Sequence, residues 1–392
     1  MSDNSTVHTP VGGPFMTRPI RLLLIFVALG AAMTLWRFAF GLAAVTNLND
    51  GYPWGVWIAF DVVTGTALGC GGYAIALLVY ILNKGEYHPL VRPAILTSLL
   101  GYGLAVLAVS IDLGRPWALW KVPLFFWRWT GSPQLEVALC VAAYVAVLLV
   151  ELSPAFFEKW KTSGDTRLRR FSESGLRFVT RWHVWIIALG LLLPTMHQSS
   201  LGTLMVISGY KLSPLWQTPL LPLLFLVTAI TMGYSITVFE SFLSSLIFKR
   251  PLEMPMVGKL SGLIPGLLIV YLLVRWGDMI ARGAIGDAFG MGWKPIMFWI
   301  ENILYILPVI MLLPKGNRER AGTVCFAAFS MLLAGAIYRF NTFLVGYSPA
   351  PGWSYFPAAP EIFITLGIIA VEVMAYLIFV KAFPVLPEPE HA

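Results

Sequence analysis

Ten apolar runs divide the chain, separated by short polar segments. Their approximate limits are 20–41, 54–82, 92–112, 134–156, 182–206, 219–248, 260–281, 295–313, 322–345 and 361–383. A helix needs roughly 20 apolar residues to cross a bilayer core. The pattern therefore predicts about ten transmembrane helices in one all-α, polytopic membrane domain. The second and sixth runs exceed that length and are expected to tilt or to begin as interfacial segments. No loop exceeds roughly 25 residues, too few to bury a core of its own. The stretch from Leu168 to Thr180 is amphipathic and is expected to lie along the membrane interface. One echo links the two halves: Glu136 starts the fourth helix much as Glu301 starts the eighth. Two four-helix units, 54–206 and 219–345, with flanking helices at 20–41 and 361–383, fit that pattern.

Composition agrees with the periodicity. Hydrophobic residues make up 58% of the 392 positions and charged residues only 12%, too little charge to cover a soluble surface of that size. The net charge of +7 raises nucleic acid as a partner, but the basic residues sit in short loops between apolar runs. Lys84, Arg92, Lys159, Lys161, Arg167, Arg169, Arg170, Arg177, Arg181, Lys249, Arg250, Lys259, Lys315, Arg318 and Arg320 all fall on one side of the predicted membrane. The positive-inside rule puts that side, both termini and the 158–181 loop in the cytoplasm of a bacterial inner membrane. That placement leaves no role for nucleic acid. The opposite loops carry Trp117, Trp120, Trp127, Trp129, Trp353, Tyr355 and Phe356, as interfacial belt residues or as a docking surface. The polar start from Met1 to Thr17 lacks the early apolar core of a cleavable signal, so the first run reads as a retained helix.

Three cysteines, Cys70, Cys140 and Cys325, lie in apolar segments without CxxC spacing. They cannot supply the four thiolates of an iron–sulfur cluster, and they read as packing residues. No metal site is expected.

Ionisable residues at membrane depth are costly and mark function by default. Asp61, Glu136, His197 and Glu301 fall in the periplasmic half of their helices, with Arg37, Asp112, Arg275, Asp278 and Arg339 near the same side. Tyr102 and Glu372 sit near mid-helix, and Glu240 lies towards the cytoplasmic third of its helix. For Asp112, Arg115 and Asp278 the expectation is helix-holding ion pairs, Asp112 with Arg115 among them. Glu136, His197 and Glu240 lack a basic residue one turn away and are expected to be functional. A desolvated carboxyl without a counter-ion favours its neutral form, which suits a proton relay. His197 follows Pro194 and precedes Gln198, Ser199 and Ser200, so the helix is expected to break there and line a cavity.

A membrane haem takes histidines from facing helices. His8 and His391 lie in the polar tails, and His88 with His183, both near the cytoplasmic face, are the one geometrically possible pair, although His88 precedes Pro89 in a loop, a poor axial position. His183 and His197 share one helix about 21 Å apart and cannot clamp one haem. No haem is expected.

The segment from Gly51 to Tyr73, GYPWGVWIAFDVVTGTALGCGGY, resembles the start of the first bundle helix in NrfD-type quinol-interacting subunits. Gly85 to Ala94 (GEYHPLVRPA), Asp112 to Pro116 (DLGRP), Leu193 to Ser200 (LPTMHQSS) and Met297 to Glu301 (MFWIE) resemble the HybB branch, the membrane subunit of periplasm-facing uptake nickel–iron hydrogenases. The likeness runs nearly end to end. It implies a quinone, menaquinone or ubiquinone, bound near the periplasmic side. The implied partners are a periplasmic ferredoxin-like iron–sulfur subunit and the hydrogenase small and large subunits. Tyr102, Glu136, His197 and Glu240 match polar positions of the family that resemble a proton path. Trp54, Trp57, Asp61 and His197 are the candidate quinone-lining residues. The function implied is that of a redox anchor: electrons from hydrogen pass through partner clusters to the quinone, and this protein positions the quinone and delivers protons. Two alternatives stay open at this level, a proton-coupled secondary transporter using Glu136, Glu240 and Glu372, and an anchor without quinone chemistry.

Overall fold

The computed structural model describes residues 8–388, so His391 lies outside the described residues. Ten helices are long and apolar enough to span a membrane: α1 Arg18–Phe40, α2 Trp57–Ile81, α3 Gly85–Asp112, α4 Pro133–Lys161, α5 Thr166–Ile207, α6 Leu221–Phe248, α7 Met254–Ala281, α8 Trp293–Leu312, α9 Ala321–Val345 and α10 Ala359–Ala382. They match the ten apolar runs one for one, and the protein is an all-α, multi-pass integral membrane protein. The helices alternate in direction, so one end of the molecule gathers the basic loops and the other the aromatic ones.

Burial ranks the helices. In their most apolar stretches α2 is 78% buried and α6 67%, against 11% for α1 and α5. The first pair therefore forms the centre and the second faces lipid. Helix α2 packs on α3, α5, α6 and α9; α3 packs on α4, and α4 on α5. Helix α6 packs on α5, α7 and α9, with α7 on α8 and α8 on α9. The outer helices α1 and α10 lie together, and α10 reaches α3.

Glycine sets the closest of these contacts, as expected where lipid-like interiors make packing the main attraction. A methyl group on Gly30 of α1 would lie 2.8 Å from the Cα of Gly367 in α10, and the reverse holds as well. Gly233 of α6 rests on the backbone of Cys70 in α2, where a methyl group would overlap it.

Four of the spans are irregular: α3 opens with a 3-10 segment at Gly85–Leu90, and α7 is interrupted between Met254–Ser261 and Ile264–Ala281. Helix α2 opens with π-helical turns at Trp57–Val62, is interrupted at Gly69–Cys70 and closes with π turns at Leu77–Ile81. Helix α9 ends in π turns at Asn341–Val345. Such turns leave carbonyls partly free and cluster at functional sites; here the Trp54 Nε1 donates to the Phe343 carbonyl at 2.9 Å and ties the two irregular ends together.

Three sequence expectations are corrected. Helix α5 does not break at Pro194 but runs through it for 42 residues. Thr195, Ser199 and Thr203 turn their hydroxyls back onto carbonyls of their own helix, at 2.8, 2.8 and 3.1 Å, so the polar run is satisfied without unwinding. The 168–180 stretch is not a separate interfacial helix but the first turns of the same α5. At about 63 Å this helix is twice the bilayer core, and its start projects past the basic end beside α4, with the Phe157 and Phe171 rings 5.7 Å apart. Glu136 lies in the first turn of α4, whereas Glu301 lies two turns inside α8, so the echo between them fails.

At the basic end the two tails meet. Strand β1, His8–Thr9, pairs antiparallel with β2, Leu386–Pro387, and the Lys381 Nζ donates to the Pro14 carbonyl at 2.6 Å.

Candidate functional site

A series of buried polar side chains begins about 10 Å below the aromatic end. Arg275 of α7 and Glu301 of α8 face each other at 3.6 Å, and both are almost wholly buried. Glu301 also accepts from the Trp216 Nε1 at 2.8 Å and from the Asn341 Nδ2 at 2.9 Å. Trp216 comes from the loop before α6, and Asn341 opens the π turns of α9. Beside them Arg339 is fully buried: its Nη1 donates to the Gly335 carbonyl at 3.3 Å and its Nη2 to the Phe225 carbonyl at 3.3 Å. That Nη2 also reaches the Gln198 Oε1 at 3.4 Å, which carries the series across to α5.

From Gln198 the polar groups continue through α2. The Gln198 Nε2 donates to the Thr66 Oγ1 at 3.3 Å, and the His197 Nε2 shares that hydroxyl at 3.0 Å. The Thr66 hydroxyl itself donates to the Val62 carbonyl at 2.7 Å. With its one proton spent there, Thr66 accepts from both neighbours, so His197 is fixed as the Nε2–H tautomer. Its Nδ1, buried with no partner among the described residues, is then an acceptor. The His197 ring lies edge-on to Tyr102 at 5.5 Å, Tyr102 lies edge-on to Tyr144 at 4.7 Å, and the Tyr102 hydroxyl meets the Cys70 Sγ at 3.6 Å. These groups sit about 15 Å from the aromatic end, half the bilayer depth.

Glu240 lies on the far side of α6, about 12 Å from the basic end. Its Oε2 accepts from the Thr97 Oγ1 at 2.7 Å. Its other oxygen is buried, with Tyr376 as its polar neighbour. Glu240, Ser241, Ser244, Ser245, Arg250 and Tyr376 line a cavity of about 80 Å³ at this end, with Leu386 and Pro387 of the C-terminal segment across it. A polar space of that size holds a few waters.

The remaining predicted residues are placed apart from this series. Trp57 donates from Nε1 to the Glu361 carbonyl at 3.1 Å, and Asp61 accepts from the Thr365 Oγ1 at 2.7 Å. Together with Trp54 they have their polar atoms engaged in holding α2 to α9 and α10. Glu136 is exposed at the start of α4, outside the buried series. Asp112 does not pair with Arg115; its cationic neighbour is Arg37, whose Nε donates to the Ile111 carbonyl at 2.6 Å. Asp278 pairs with Arg282 one turn on, at 2.8 Å, within its own helix rather than between helices. At the aromatic surface the Tyr355 hydroxyl donates to Glu361 at 2.5 Å and accepts from the Val56 amide at 2.9 Å. Burial, then the Glu361 carboxylate, pushes this phenol up, so it stays a donor.

Sequence reasoning missed Trp216, Thr66, Thr97, Tyr376, Asn341 and the tyrosines Tyr271, Tyr305 and Tyr338, and it read Gln198 only as part of a helix-breaking polar run. Thr66, Thr97 and Gln198 are uncharged and carry no depth signal. Trp216 sits in a loop and reads as a belt residue. The tyrosines pass for apolar residues.

His88 and His183 are both exposed at the basic end, and the Tyr80 ring packs edge-on against each, at 6.5 and 5.7 Å. His197 is committed to Thr66, and His8 lies in β1. No group of residues able to hold a metal ion occurs among the described residues.

Comparison with known proteins places the chain. The family described as "Polysulphide reductase, NrfD" matches residues 44–349. The chain is 39% identical over 386 residues to the "Probable Ni/Fe-hydrogenase 2 b-type cytochrome subunit" of Escherichia coli (strain K12), covering 96% of this chain and 95% of that one. It is 26% identical to the "Menaquinone reductase, integral membrane subunit" of Nitratidesulfovibrio vulgaris, covering 88% of this chain and 86% of that one. Against "Protein NrfD" of Escherichia coli (strain K12) the identity is 25%, over 62% of this chain and 78% of that one.

Proposed function

The chain belongs to the NrfD family of membrane proteins, and from that premise we propose that it is the quinone-reducing membrane anchor of a hydrogenase complex. In this reading the complex sits in a bacterial inner membrane with both termini of this protein in the cytoplasm. A periplasmic ferredoxin-like iron–sulfur subunit, itself docked to the hydrogenase small and large subunits, delivers electrons at the aromatic end. The acceptor is a membrane quinone, menaquinone or ubiquinone. The names of two relatives, a hydrogenase subunit and a menaquinone reductase subunit, support the substrate class. Residues 54–206 and 219–345 act as two four-helix units, a division supported by the order of helix packing.

Reduction of one quinone takes two electrons and two protons, and the redox chemistry belongs to the quinone. The protein supplies position and protons. The observation that carries the reading is the buried polar series reaching His197 and Tyr102 at mid-membrane, with Glu240 and its cavity on the basic side. His197, with its acceptor Nδ1, and Tyr102 hold and pass a proton near the head group, and Glu240 takes protons from the cytoplasmic cavity. Trp54, Trp57 and Asp61 shape the wall beside the irregular ends of α2 and α9. No haem enters this scheme.

Two other readings are weighed against it. A proton-coupled transporter draws on discontinuous helices in matching halves; the second helix of each unit does open with a short separate segment, Gly85–Leu90 in α3 and Met254–Ser261 in α7, but α5 is continuous and the π turns of α2 and α9 have no counterpart in the other unit. The anchor without quinone chemistry has one observation in its favour: Trp54, Trp57 and Asp61 are already engaged within the protein.

The test is hydrogen-dependent quinone reduction by the intact complex in oriented vesicles, with proton uptake followed on each side. Glu240→Gln is expected to abolish uptake from the cytoplasmic side while the complex stays assembled. Purely periplasmic uptake by the unmodified complex would sink the Glu240 route. Unchanged quinone reduction in an assembled His197→Ala complex would favour the plain anchor.

A further inference from the structure

The Arg275–Glu301 cluster in the second helical unit has a surplus of both positive charge and hydrogen-bond donors. Arg275 and Arg339 are buried guanidiniums, and Glu301 is the carboxylate among them. Arg339 has no carboxylate within ion-pair distance among the described residues. Both guanidiniums act on Tyr305 and Tyr338, so the two cations share one neighbourhood. Arg275 lies over the Tyr338 ring at 5.3 Å, and the Tyr271 and Tyr305 rings are 4.7 Å apart. A guanidinium stays charged, and leaving one uncompensated in a low-dielectric interior costs several kcal/mol.

The donors point the same way. No acceptor among the described residues pairs with Nε, Nη1 or Nη2 of Arg275 at hydrogen-bond distance, with Nε of Arg339, or with the hydroxyls of Tyr271, Tyr305 and Tyr338. Against these stand two buried acceptors without hydrogen-bond partners, Glu301 Oε1 and Asn341 Oδ1, and the oxygens of the three hydroxyls, which can also accept; Glu301 Oε1 meets Arg275 only as an ion pair at 3.6 Å. Water brings as many donors as acceptors and no negative charge, so the surplus of positive charge stays in place. An anion brings acceptor capacity and negative charge together. The tyrosine rings are in mutual contact, with centroids 4.7, 5.8 and 6.4 Å apart. They leave no slot for a planar head group, which makes the guest small.

We propose that the cluster of Arg275, Arg339, Tyr271, Tyr305 and Tyr338 is a buried binding site for a small inorganic anion, a halide such as chloride. The anion shares with Glu301 the task of balancing two guanidiniums, so the carboxylate is not held rigidly by charge alone.

The full-length protein in lipid nanodiscs, prepared in sodium bromide and desalted into sodium gluconate, tests this. Bromide released on denaturation is measured by ion chromatography, and Tm is compared in chloride and gluconate at equal ionic strength. The wild type is expected to release about one bromide per molecule, or to show a saturable rise of about 2–4 °C in Tm with chloride. Arg339→Gln is expected to lose both. A Tyr305→Phe, Tyr338→Phe double variant keeps the charges and removes two donors, and it is expected to weaken both. It decides the matter if Arg339→Gln does not fold. A wild type that neither retains bromide nor responds to chloride overturns the proposal. So does a halide response that survives in every folded variant, or a density map with a quinone or only water at the cluster.

Discussion

At the scale of single residues, Glu301 and Glu136 separate what spacing reveals from what it cannot. Both read as membrane-embedded acids from their distance to a helix end. Glu301 is buried against Arg275, Trp216 and Asn341, whereas Glu136 lies exposed in a first turn. Spacing along one helix gives depth but not azimuth, and azimuth decides whether a side chain meets protein or lipid headgroups. Azimuth also hid the partners of Glu301, which come from a loop and two other helices. Removing one member of a buried ion pair strands the other and typically costs about 3–5 kcal/mol. Glu301→Gln should therefore lower the unfolding temperature of the protein sharply. Arg275→Met combined with Glu301→Leu should recover part of that loss, because it removes both charges but leaves the Trp216 Nε1 and Asn341 Nδ2 donors without their acceptor. Thermal unfolding of the wild type and both variants in nanodiscs checks this; equal stability of Glu301→Gln and wild type would refute it.

At the scale of helices, existence and order were legible and internal regularity was not. An apolar run of sufficient length has one solution in a bilayer, since every backbone group must be satisfied within the segment. That constraint is why all ten spans appear where the pattern puts them. Pro194 misled because a proline removes one donor whatever surrounds it, while Thr195 and Ser199 supply compensating bonds that only the folded helix displays. The π turns of α2 and α9 carry no proline at all, whereas the 3-10 start of α3 and the break in α7 lie at Pro89 and beside Pro265. Pro194→Ala restores a backbone donor to a helix that is already continuous. It is expected to leave the protein folded with Tm unchanged or raised by a few degrees, about 1 kcal/mol; a clear fall would show that the ring itself is needed for packing. Gly367→Val tests the opposite case. Its side chain would enter the Gly30 backbone, so α1 should leave α10, seen as loss of a disulfide engineered between the two helices.

For the whole molecule, the informative contrast at the basic end is between the interior of the second unit and the face of α6 turned towards α3 and α10. Below the tyrosines of the second unit, Leu260, Ile264, Leu268, Leu312, Val324 and Met331 are fully buried and form an apolar plug. On the other face of α6, Glu240 and the serines add polar groups to a cavity shared with α3, α7 and α10 at the same end. A proton crosses an apolar plug only at the cost of desolvation, several kcal/mol per charge, so the proposed function takes the cavity as its route between the basic surface and mid-membrane. The sequence held this difference in the Ser241, Ser244 and Ser245 stripe, but serines in a membrane helix usually bond back to their own carbonyls. Ser241 does bond to the Thr237 carbonyl, at 2.8 Å, and only packing shows that Ser244 faces a space. Ser244→Leu would fill much of that space without touching the buried series at His197. Cytoplasmic proton uptake by the assembled complex should then fall by about tenfold, equivalent to roughly 1.4 kcal/mol of added barrier. Hydrogen oxidation with a soluble acceptor, which needs no proton from this side, should hold its rate. Equal loss of both activities would mean that the substitution damages assembly, and unchanged uptake would mean that protons reach the quinone by another path.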